Sequence, residues 1–267
     1  MKFENTWTGN WEGAFRGLRH PMESYAKSDS DFGIAESDEW LKEVVNDVAY
    51  NYVQDKENYE EEKENTKDWL YENGILYWGK NIADYAFLGP NDLDLAQRMI
   101  KAGTPNDKFL RQIFVSVDIT APLYLWKEID QYKVGTVTDS TSTMHKLAST
   151  PITKDCFEMD DYNGSLKMYD REPYNIDDYV DDMWDSIIDY CETLRKRYLE
   201  TKDQRYWKEL IRLLPESWLQ TRTWSANYSV LRNIYHWRKD HRLTEWHTFC
   251  NWIKTLSYSN ELILFEN

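Results

Sequence analysis

The sequence contains few of the residues that form disulfides and tight turns: its 267 residues include 3 Cys, 10 Gly and 7 Pro. The cysteines, Cys156, Cys191 and Cys250, are odd in number, and none of them lies in a CxxC pair. Neither a disulfide framework nor a zinc site is therefore predicted, and we expect buried thiols. The sequence also has no Gly-rich phosphate loop and no G-x-S-x-G motif, which argues against a classical nucleophilic hydrolase.

Positive charge is also scarce. The chain has 47 acidic and 32 basic residues and a formal net charge of -15. Nucleic acid is excluded as an expected partner, because neutralising its phosphates requires a basic surface. A small anionic ligand would need a local pocket of cationic side chains.

Long apolar runs are missing as well. The first residues, MKFENTWTGNWEG, contain no apolar core of a signal peptide, and no run approaches the roughly 18 residues of a membrane span. We therefore expect a soluble, cytoplasmic protein that has no membrane partner. With 41% hydrophobic and 15% aromatic residues, the chain is able to bury a full core, and we expect one domain with insertions.

Hydrophobic periodicity predicts helices in the N-terminal part of the chain. Trp11, Phe15 and Leu18 have the spacing of a short helix, and apolar residues recur at helical spacing from Glu39 onwards. The polar run DKENYEEEKENTKD that follows is interpreted as a solvated helix face or connection, with an acidic partner site as the alternative.

The next segment is punctuated more clearly. LGPNDLDLAQRMIKAG predicts a helix that is capped by Asn91 or Asp92 and ended by Gly103. Residues 113–120, IFVSVDIT, alternate between two faces, one of them apolar with Ile113, Val115, Val117 and Ile119, and the alternation predicts a strand.

Three further elements are predicted in the C-terminal half. Asn163-Gly164 lies between two semi-apolar runs and indicates a hairpin turn. A helix is expected from near Ile176 to Arg197, acidic at its start and basic at its end, and its carboxylates lack the histidines or spacing of a metal site. Residues 216–255 predict one or two long helices whose tryptophans are expected in the core or a subunit interface, with a ligand platform as the alternative.

The segment 121–143, APLYLWKEIDQYKVGTVTDSTST, provides the strongest functional signal. Pro122 opens a predicted helix that stops near Gly135, and a polar loop follows. This segment resembles the signature of the flavin-dependent thymidylate synthases. In the register set by Ala-Pro, the family's Arg-His-Arg corresponds to residues 131–133, which read Gln-Tyr-Lys. The Ser that follows in the family corresponds to Thr141, and the Arg two residues after that Ser corresponds to Thr143.

A second block, residues 212–248, carries the same resemblance. The family shows Leu-Pro, a helix with Trp and Asn, a second Asn and an Arg, and every spacing is met by Leu214-Pro215, Trp224, Asn227, Asn233 and Arg238. Together with the first block, residues 106–147, the likeness covers less than half of the chain. It implies an α+β fold in which long helices flank a small central mixed or antiparallel sheet. The implied single domain spans residues 1–267, with a helical acidic insertion near 37–90 and a hairpin and helix insertion near 150–200.

The resemblance also implies a reaction and its ligands. The family transfers a one-carbon unit from methylenetetrahydrofolate to the uracil ring of dUMP through reduced flavin, so FAD is the expected cofactor and NADPH a co-substrate. The expected partners are a small nucleotide and further copies of the chain in a homotetramer, and no metal is implied. The implied catalytic residues are Arg238 and Thr141. Those implied for substrate are Glu128, Asp139, Ser140, Thr141, Ser142, Thr143, Arg212 and Arg238. Those implied for the cofactor are Lys108, Arg111, Gln131, Lys133, Val134, Asn227, Asn233, Trp237 and Arg242.

Two positions at which the family has arginine for binding phosphate are changed, to Thr143 and Ile211. Losing two such contacts predicts at least about a hundredfold weaker binding of a nucleotide monophosphate, unless other cations compensate. The available cations are Lys133, His145, Lys146, Arg212 and Arg242. The alternative hypothesis is therefore a non-catalytic nucleotide-binding or protein-interacting oligomer that keeps the fold.

Helix geometry adds one expectation about the second block. If one helix carries Asn227 and Arg238, about 100° per residue places them about 20° apart on one face, with Asn233 about 120° from Asn227.

Overall fold

The computed structural model describes residues 1–79, 82–160, 162–171 and 176–266, and the side chains of 144, 145, 168–171 and 176–178 are outside this description. The predicted α+β class is confirmed. The strands are β1 (Lys2–Gly9), β2 (Asp31–Ala35), β3 (Ile75–Trp78), β4 (Ala83–Phe87), β5 (Phe114–Pro122), β6 (Val137–Ser140), β7 (Lys167–Arg171), β8 (Ile176–Tyr179) and β9 (Leu219–Asn227). The helices are α1 (Trp11–Arg19), α2 (Asp38–Val53), α3 (Tyr59–Gly74), α4 (Pro90–Ala102), α5 (Leu123–Ile129), α6 (Thr143–Lys146), α7 (Val180–Thr201), α8 (Gln204–Leu213), α9 (Tyr228–Arg238), α10 (Thr244–Lys254) and α11 (Ser259–Leu262).

The strands form three sheets, with orders β1-β5-β9-β6, β2-β4-β3 and β7-β8. The chain divides into two compact units. Unit 1 comprises Met1–Lys2, Asp118–Gln131 and Thr138–Thr223, and unit 2 comprises Phe3–Val117, Tyr132–Val137 and Trp224–Asn267. A single domain with insertions near 37–90 and 150–200 stays a prediction.

In unit 2, the β2-β4-β3 sheet packs against α2 and α3. Leu41, Val45 and Val48 of α2 are buried against this sheet, as their helical spacing predicted. Ser37 caps α2 by accepting a hydrogen bond from the backbone N–H of Trp40 at 3.2 Å. The polar run lies mainly on α3, whose buried residues are Leu70 and Gly74, so most of that helix is a solvated surface.

The start of α4 differs from the prediction. Neither Asn91 nor Asp92 caps the helix. The carboxylate of Asp29 instead accepts from their backbone N–H groups at 2.9 and 3.1 Å. Asp92 is fully buried and pairs with Arg19 at 2.5 Å, so its side chain is not free to cap. The end is as predicted, since Gly103 adopts a φ of 66° and terminates the helix.

Unit 1 has a core formed by Leu147, Ile152, Phe157, Cys191 and Leu210. Three predictions for this unit were wrong: the hairpin turn at Asn163-Gly164, the helix start near Ile176 and the burial of Cys156. Asn163 and Gly164 do not join two strands, because Asn163 opens a turn closed by Leu166 N–H to Asn163 C=O at 3.2 Å, and the hairpin follows as β7 and β8. Ile176–Tyr179 is the strand β8, so α7 starts only at Val180. The predicted thiol burial holds for Cys191 and for Cys250 of unit 2, and burial raises the pKa of each to about 11, whereas Cys156 is partly exposed.

Two errors in the predicted boundaries concern the signature blocks. The helix opened by Pro122 ends at Ile129 and not near Gly135, and the predicted polar loop contains the edge strand β6 and the short helix α6. Residues 219–227 form the strand β9 and not a helix. Within unit 2, Trp224, Trp246 and Trp252 are buried in the core. None of the described helices has the length and hydrophobicity needed to cross a membrane.

Candidate functional site

A cleft of about 480 Å³ opens within unit 2, a size usual for small-molecule sites. Three segments form its walls: the short 3-10 helix Asn106–Arg111 with the turn before it, the Val134-Gly135 turn, and α9 with its cap. Its lining residues are Thr104, Asp107, Arg111, Val134, Gly135, Asn227, Ser229, Val230, Arg232, Asn233 and His236. Four of the residues that the resemblance implied for the cofactor, Arg111, Val134, Asn227 and Asn233, therefore lie in one cleft.

Asn227 is placed by the transition from strand β9 to helix α9. It is the last residue of β9 and the N-cap of α9, and its side-chain oxygen accepts from the Val230 N–H at 3.1 Å. This bond leaves the amide Nδ2 pointing towards Gly135, where a Cβ would lie 2.7 Å from it. Gly135 has a φ of 80°, a conformation that favours glycine. A glycine is therefore needed for the turn to approach the capping amide.

Arg232 and His236 lie one turn apart on α9. Nη1 of Arg232 donates to the Ile263 carbonyl at 2.8 Å, and burial lowers the pKa of the guanidinium from its usual value. Burial and then the charge of Arg232 lower the pKa of His236, so we expect a neutral imidazole at neutral pH. Its ring hydrogen-bonds the backbone of Ile263, while the buried Nε2 has no partner in the described part of the chain. A buried polar atom without a partner is a candidate ligand contact.

The charge in the cleft opposes that of the chain as a whole. Two guanidinium groups, Arg111 and Arg232, and one carboxylate, Asp107, line it, whereas the net charge of the chain is -15. Arg111 is exposed and makes no ion pair within the described residues. The N-terminus of α9, an 11-residue helix, also faces the cleft and adds partial positive charge. The arrangement suits an anionic, phosphate-bearing ligand.

Arg238 is not among the residues that line this cleft. Its Nε donates to the Tyr132 hydroxyl at 2.9 Å, and its guanidinium lies 4.7 Å from the centre of the Trp246 ring. The expected 20° separation from Asn227 is wrong, because Asn227 is a cap with extended backbone and does not follow the helical repeat. Within α9, Asn233 and Arg238 are about 140° apart and so face different directions.

The residues implied for substrate lie in unit 1, except Arg238. Thr141 pairs with β9, since both its N–H and its hydroxyl donate to the Thr221 carbonyl, at 2.9 and 3.1 Å. Thr143 accepts a hydrogen bond from the Gln220 amide at 3.2 Å. Asp139 and Ser140 are exposed on β6, whereas Glu128 and Ser142 are half-buried, and each of these two residues has an interaction partner.

Other implied residues do not converge on either of these places. Arg212 pairs with Glu209 on the same face of α8. Lys108, Gln131, Lys133, Trp237 and Arg242 are exposed, and none of them lines the cleft; the side chain of His145 is outside the described part of the chain.

Sequence reasoning missed several residues of these surfaces. His236 follows Asn233 by three residues and Arg232 by four, a spacing that places side chains on neighbouring positions of one helix face. Gln220 and Arg222 were missed because β9 was interpreted as helix, although their spacing of two places them on one face of a strand.

Comparisons with known proteins identify the fold. No protein-family model matches the chain, and no curated protein matches its sequence. The chain is similar over 98% of its length, and 97% of the other chain, to thymidylate synthase X from Helicobacter pylori with FAD and dUMP, with a TM-score of 0.55 and 12% identity. Partial matches are the same kind of enzyme complexed with FAD and dUMP (TM-score 0.47, 14% identity, 66% of this chain and 83% of that chain) and the UMP/dUMP methylase PolB from Streptomyces cacaoi bound with 5-Br UMP (TM-score 0.44, 11% identity, 66% and 82%). The full-length match shows that the chain has the fold of thymidylate synthase X.

Proposed function

We propose that the chain binds FAD in the cleft of unit 2 and a pyrimidine nucleotide at the Thr141–Thr143 segment, and that it transfers a one-carbon unit or hydride to the base. Conversion of dUMP to dTMP is the reference reaction, and methylenetetrahydrofolate and NADPH are the proposed co-substrates. We also include a homotetramer and a cytoplasmic location in the proposal.

The observation that carries the proposal is the convergence of Arg111, Val134, Asn227 and Asn233 on one cleft. All four are residues that the family resemblance implies for the cofactor. The unpartnered Nε2 of His236 and the close approach of Gly135 to Asn227 are the features expected of a ligand cradle.

Each side chain of the cleft has a proposed role. Arg111 and Arg232 would hold the pyrophosphate, because guanidinium groups form charge-assisted bonds to phosphate. Nδ2 of Asn227 would donate to polar groups of the cofactor, and the Asn233 side-chain amide would donate and accept. The neutral His236 would accept a hydrogen bond from the cofactor at Nε2. When bound, the flavin would supply the hydride.

On the nucleotide side, the proposed roles are electrostatic. The Thr141 hydroxyl already donates its proton to the Thr221 carbonyl, so we propose a positioning role for it. Within unit 2, Arg238 lies against Trp246, and we keep it as the catalytic cation that the family resemblance implies.

The second candidate function is binding without turnover. It is favoured by Thr143 at the place of an arginine and by Arg212, whose charge is taken by Glu209. Both features would weaken phosphate binding in unit 1 and leave the cleft of unit 2 unaffected.

Flavin binding is tested by incubating the purified protein with FAD, removing free cofactor and recording the absorbance spectrum. We expect a yellow protein. Asn233→Ala should lower the FAD affinity by up to about tenfold, as loss of one neutral hydrogen bond does, whereas Asn251→Ala, an exposed amide on α10 outside the cleft, should not. A protein that stays colourless contradicts the proposal.

Turnover is tested by supplying FAD, NADPH, methylenetetrahydrofolate and dUMP and measuring dTMP. Formation of dTMP that is lost in Arg238→Ala supports the enzyme. A yellow protein that is stabilised by dUMP but yields no dTMP supports the second candidate, because a ligand that binds only the native state raises its thermal stability even without chemistry.

A further inference from the structure

Arg222 of β9 lies beside the Thr141–Thr143 segment within unit 1. Its Nε donates to the side-chain oxygen of Gln220 at 3.0 Å. The Gln220 amide in turn donates to the Thr141 carbonyl at 2.9 Å and to the Thr143 hydroxyl at 3.2 Å. Residues two apart on a strand share a face and are about 7 Å apart, so the guanidinium and the Thr143 hydroxyl are separated by a single side chain.

The guanidinium of Arg222 is held in place before any ligand arrives. It lies 4.3 Å from the centre of the Trp126 ring, and the Trp126 indole N–H donates to the Gln220 carbonyl at 3.0 Å. Nη1 of Arg222 donates to both carboxylate oxygens of Asp130, at 2.9 and 3.1 Å. Only 14% of the side chain is exposed, so little conformational entropy remains to be lost on binding.

One nitrogen of this guanidinium is still available. Within the described chain, no residue accepts a hydrogen bond from Nη2, and Nη2 is not among the buried atoms without a partner, so it reaches solvent. A planar fork with two free N–H groups beside a hydroxyl is suited to the oxygens of a phosphate monoester.

We propose that Arg222 binds the phosphate of the nucleotide at the Thr141–Thr143 segment and that Gln220 is a positioning residue that aligns both. The inference rests on the proposed nucleotide function and names the group by which the phosphate is recognised. Arg222 supplies from the neighbouring strand a cation that Thr143 does not provide.

The test compares dUMP with deoxyuridine, which lacks the phosphate, by calorimetric titration of the FAD-saturated protein. Arg222→Ala should weaken dUMP binding about tenfold to a hundredfold, the range for one charge-assisted bond to phosphate, and leave deoxyuridine binding unchanged. Arg205→Ala is the matched control, because Arg205 is an exposed arginine of the same unit that is paired with Asp203. Equal dUMP affinity in Arg222→Ala and Arg205→Ala overturns the inference.

Asp130→Asn tests the same idea with the opposite sign. Asp130 is 45% exposed, so the substitution should fold even where Arg222→Ala does not. Removing the competing carboxylate should strengthen dUMP binding by a few fold, without an effect on deoxyuridine. An unchanged or weaker dUMP affinity counts against Arg222.

The outcomes separate the inference from the function on which it rests. If the protein binds FAD and dUMP, but Arg222→Ala and Asp130→Asn leave the dUMP affinity unchanged, the inference alone is overturned. A wild-type protein that binds neither FAD nor dUMP overturns both.

Discussion

Unit 1 and unit 2 each hold a guanidinium against a buried tryptophan, Arg222 on Trp126 and Arg238 on Trp246. Their surroundings differ. In unit 2 the neighbouring cleft is built on a helix cap, whereas in unit 1 Asp139 and Ser140 lie exposed on the edge strand β6 and the half-buried Thr143 begins α6. A cleft built from backbone geometry requires particular residues at particular spacings. At a less enclosed surface, a cation on a neighbouring strand is able to take the place of a missing one.

This difference parallels where the sequence resembles the family and where it departs from it. Asn227 must end a strand, cap a helix and approach Gly135, so few residue types fit there. Thr143 is half-buried at the start of α6, and its hydroxyl accepts a hydrogen bond from Gln220, a contact that other small polar residues are able to make.

The largest effect that sharpens the comparison is expected at the tryptophan under Arg238. Trp246→Ala removes a fully buried ring and should lower the free energy of unfolding by about 3 to 5 kcal/mol, through lost burial and the cavity left behind. Trp237→Ala, at a side chain that is 77% exposed, should change it by less than about 0.5 kcal/mol. Urea denaturation measures both, and similar losses would contradict the assignment of Trp246 to the core.

Gly135→Ala tests whether the cleft depends on backbone geometry. At a φ of 80° the new side chain should cost about 1 to 2 kcal/mol, and its Cβ should displace the Asn227 amide and weaken FAD binding. Gly103→Ala is the matched control: its φ is 66°, but a Cβ there would meet nothing within 4 Å. Stability should fall in both variants and FAD affinity only in the first. Equal FAD affinities would show that the turn does not shape the cleft.

Asn227 has two roles that different substitutions separate. Asn227→Ala removes the cap and should cost about 1 kcal/mol, whereas Asn227→Asp keeps a capping oxygen and should retain stability. Both variants lose Nδ2 and should bind FAD more weakly. Thermal unfolding and FAD titration distinguish the effects, and an Asp variant with wild-type FAD affinity would exclude Nδ2 as a contact.

The smallest effect concerns pH. Burial lowers the pKa of His236, so the unfolded chain binds more protons than the folded chain below the ordinary value of 6.5. The contribution of this residue is therefore present above that value and is lost as pH falls towards its folded pKa. Between pH 7 and 5, the wild type should lose more stability than His236→Asn, while His247→Asn, at an exposed position on α10, should behave like the wild type. Parallel losses in all three would contradict burial of His236.

Local signals predicted elements where the whole cause lies nearby in the chain. Alternation defined β5, helical spacing defined α2, and Gly103 marked the end of α4, because period and turn chemistry depend on adjacent residues. β9 was mistaken for helix because its polar and aromatic residues do not distinguish the two periods and its partners, β5 and β6, are distant in sequence. Distance in sequence also hid the cap of α4, whose carboxylate belongs to Asp29.

The sequence by itself determined the strand alternation of β5, the helical spacing of α2 and the net negative charge, since each depends on local pattern or composition, whereas the α+β class followed from the family resemblance. Only the tertiary structure decided that Arg232 and His236 share the cleft, that Arg238 faces elsewhere, and that Arg222 adjoins Thr143 through Gln220. Those relations depend on which strands pair and which side of a helix is covered. Such long-range packing is set by burial across the whole chain and not by neighbouring residues.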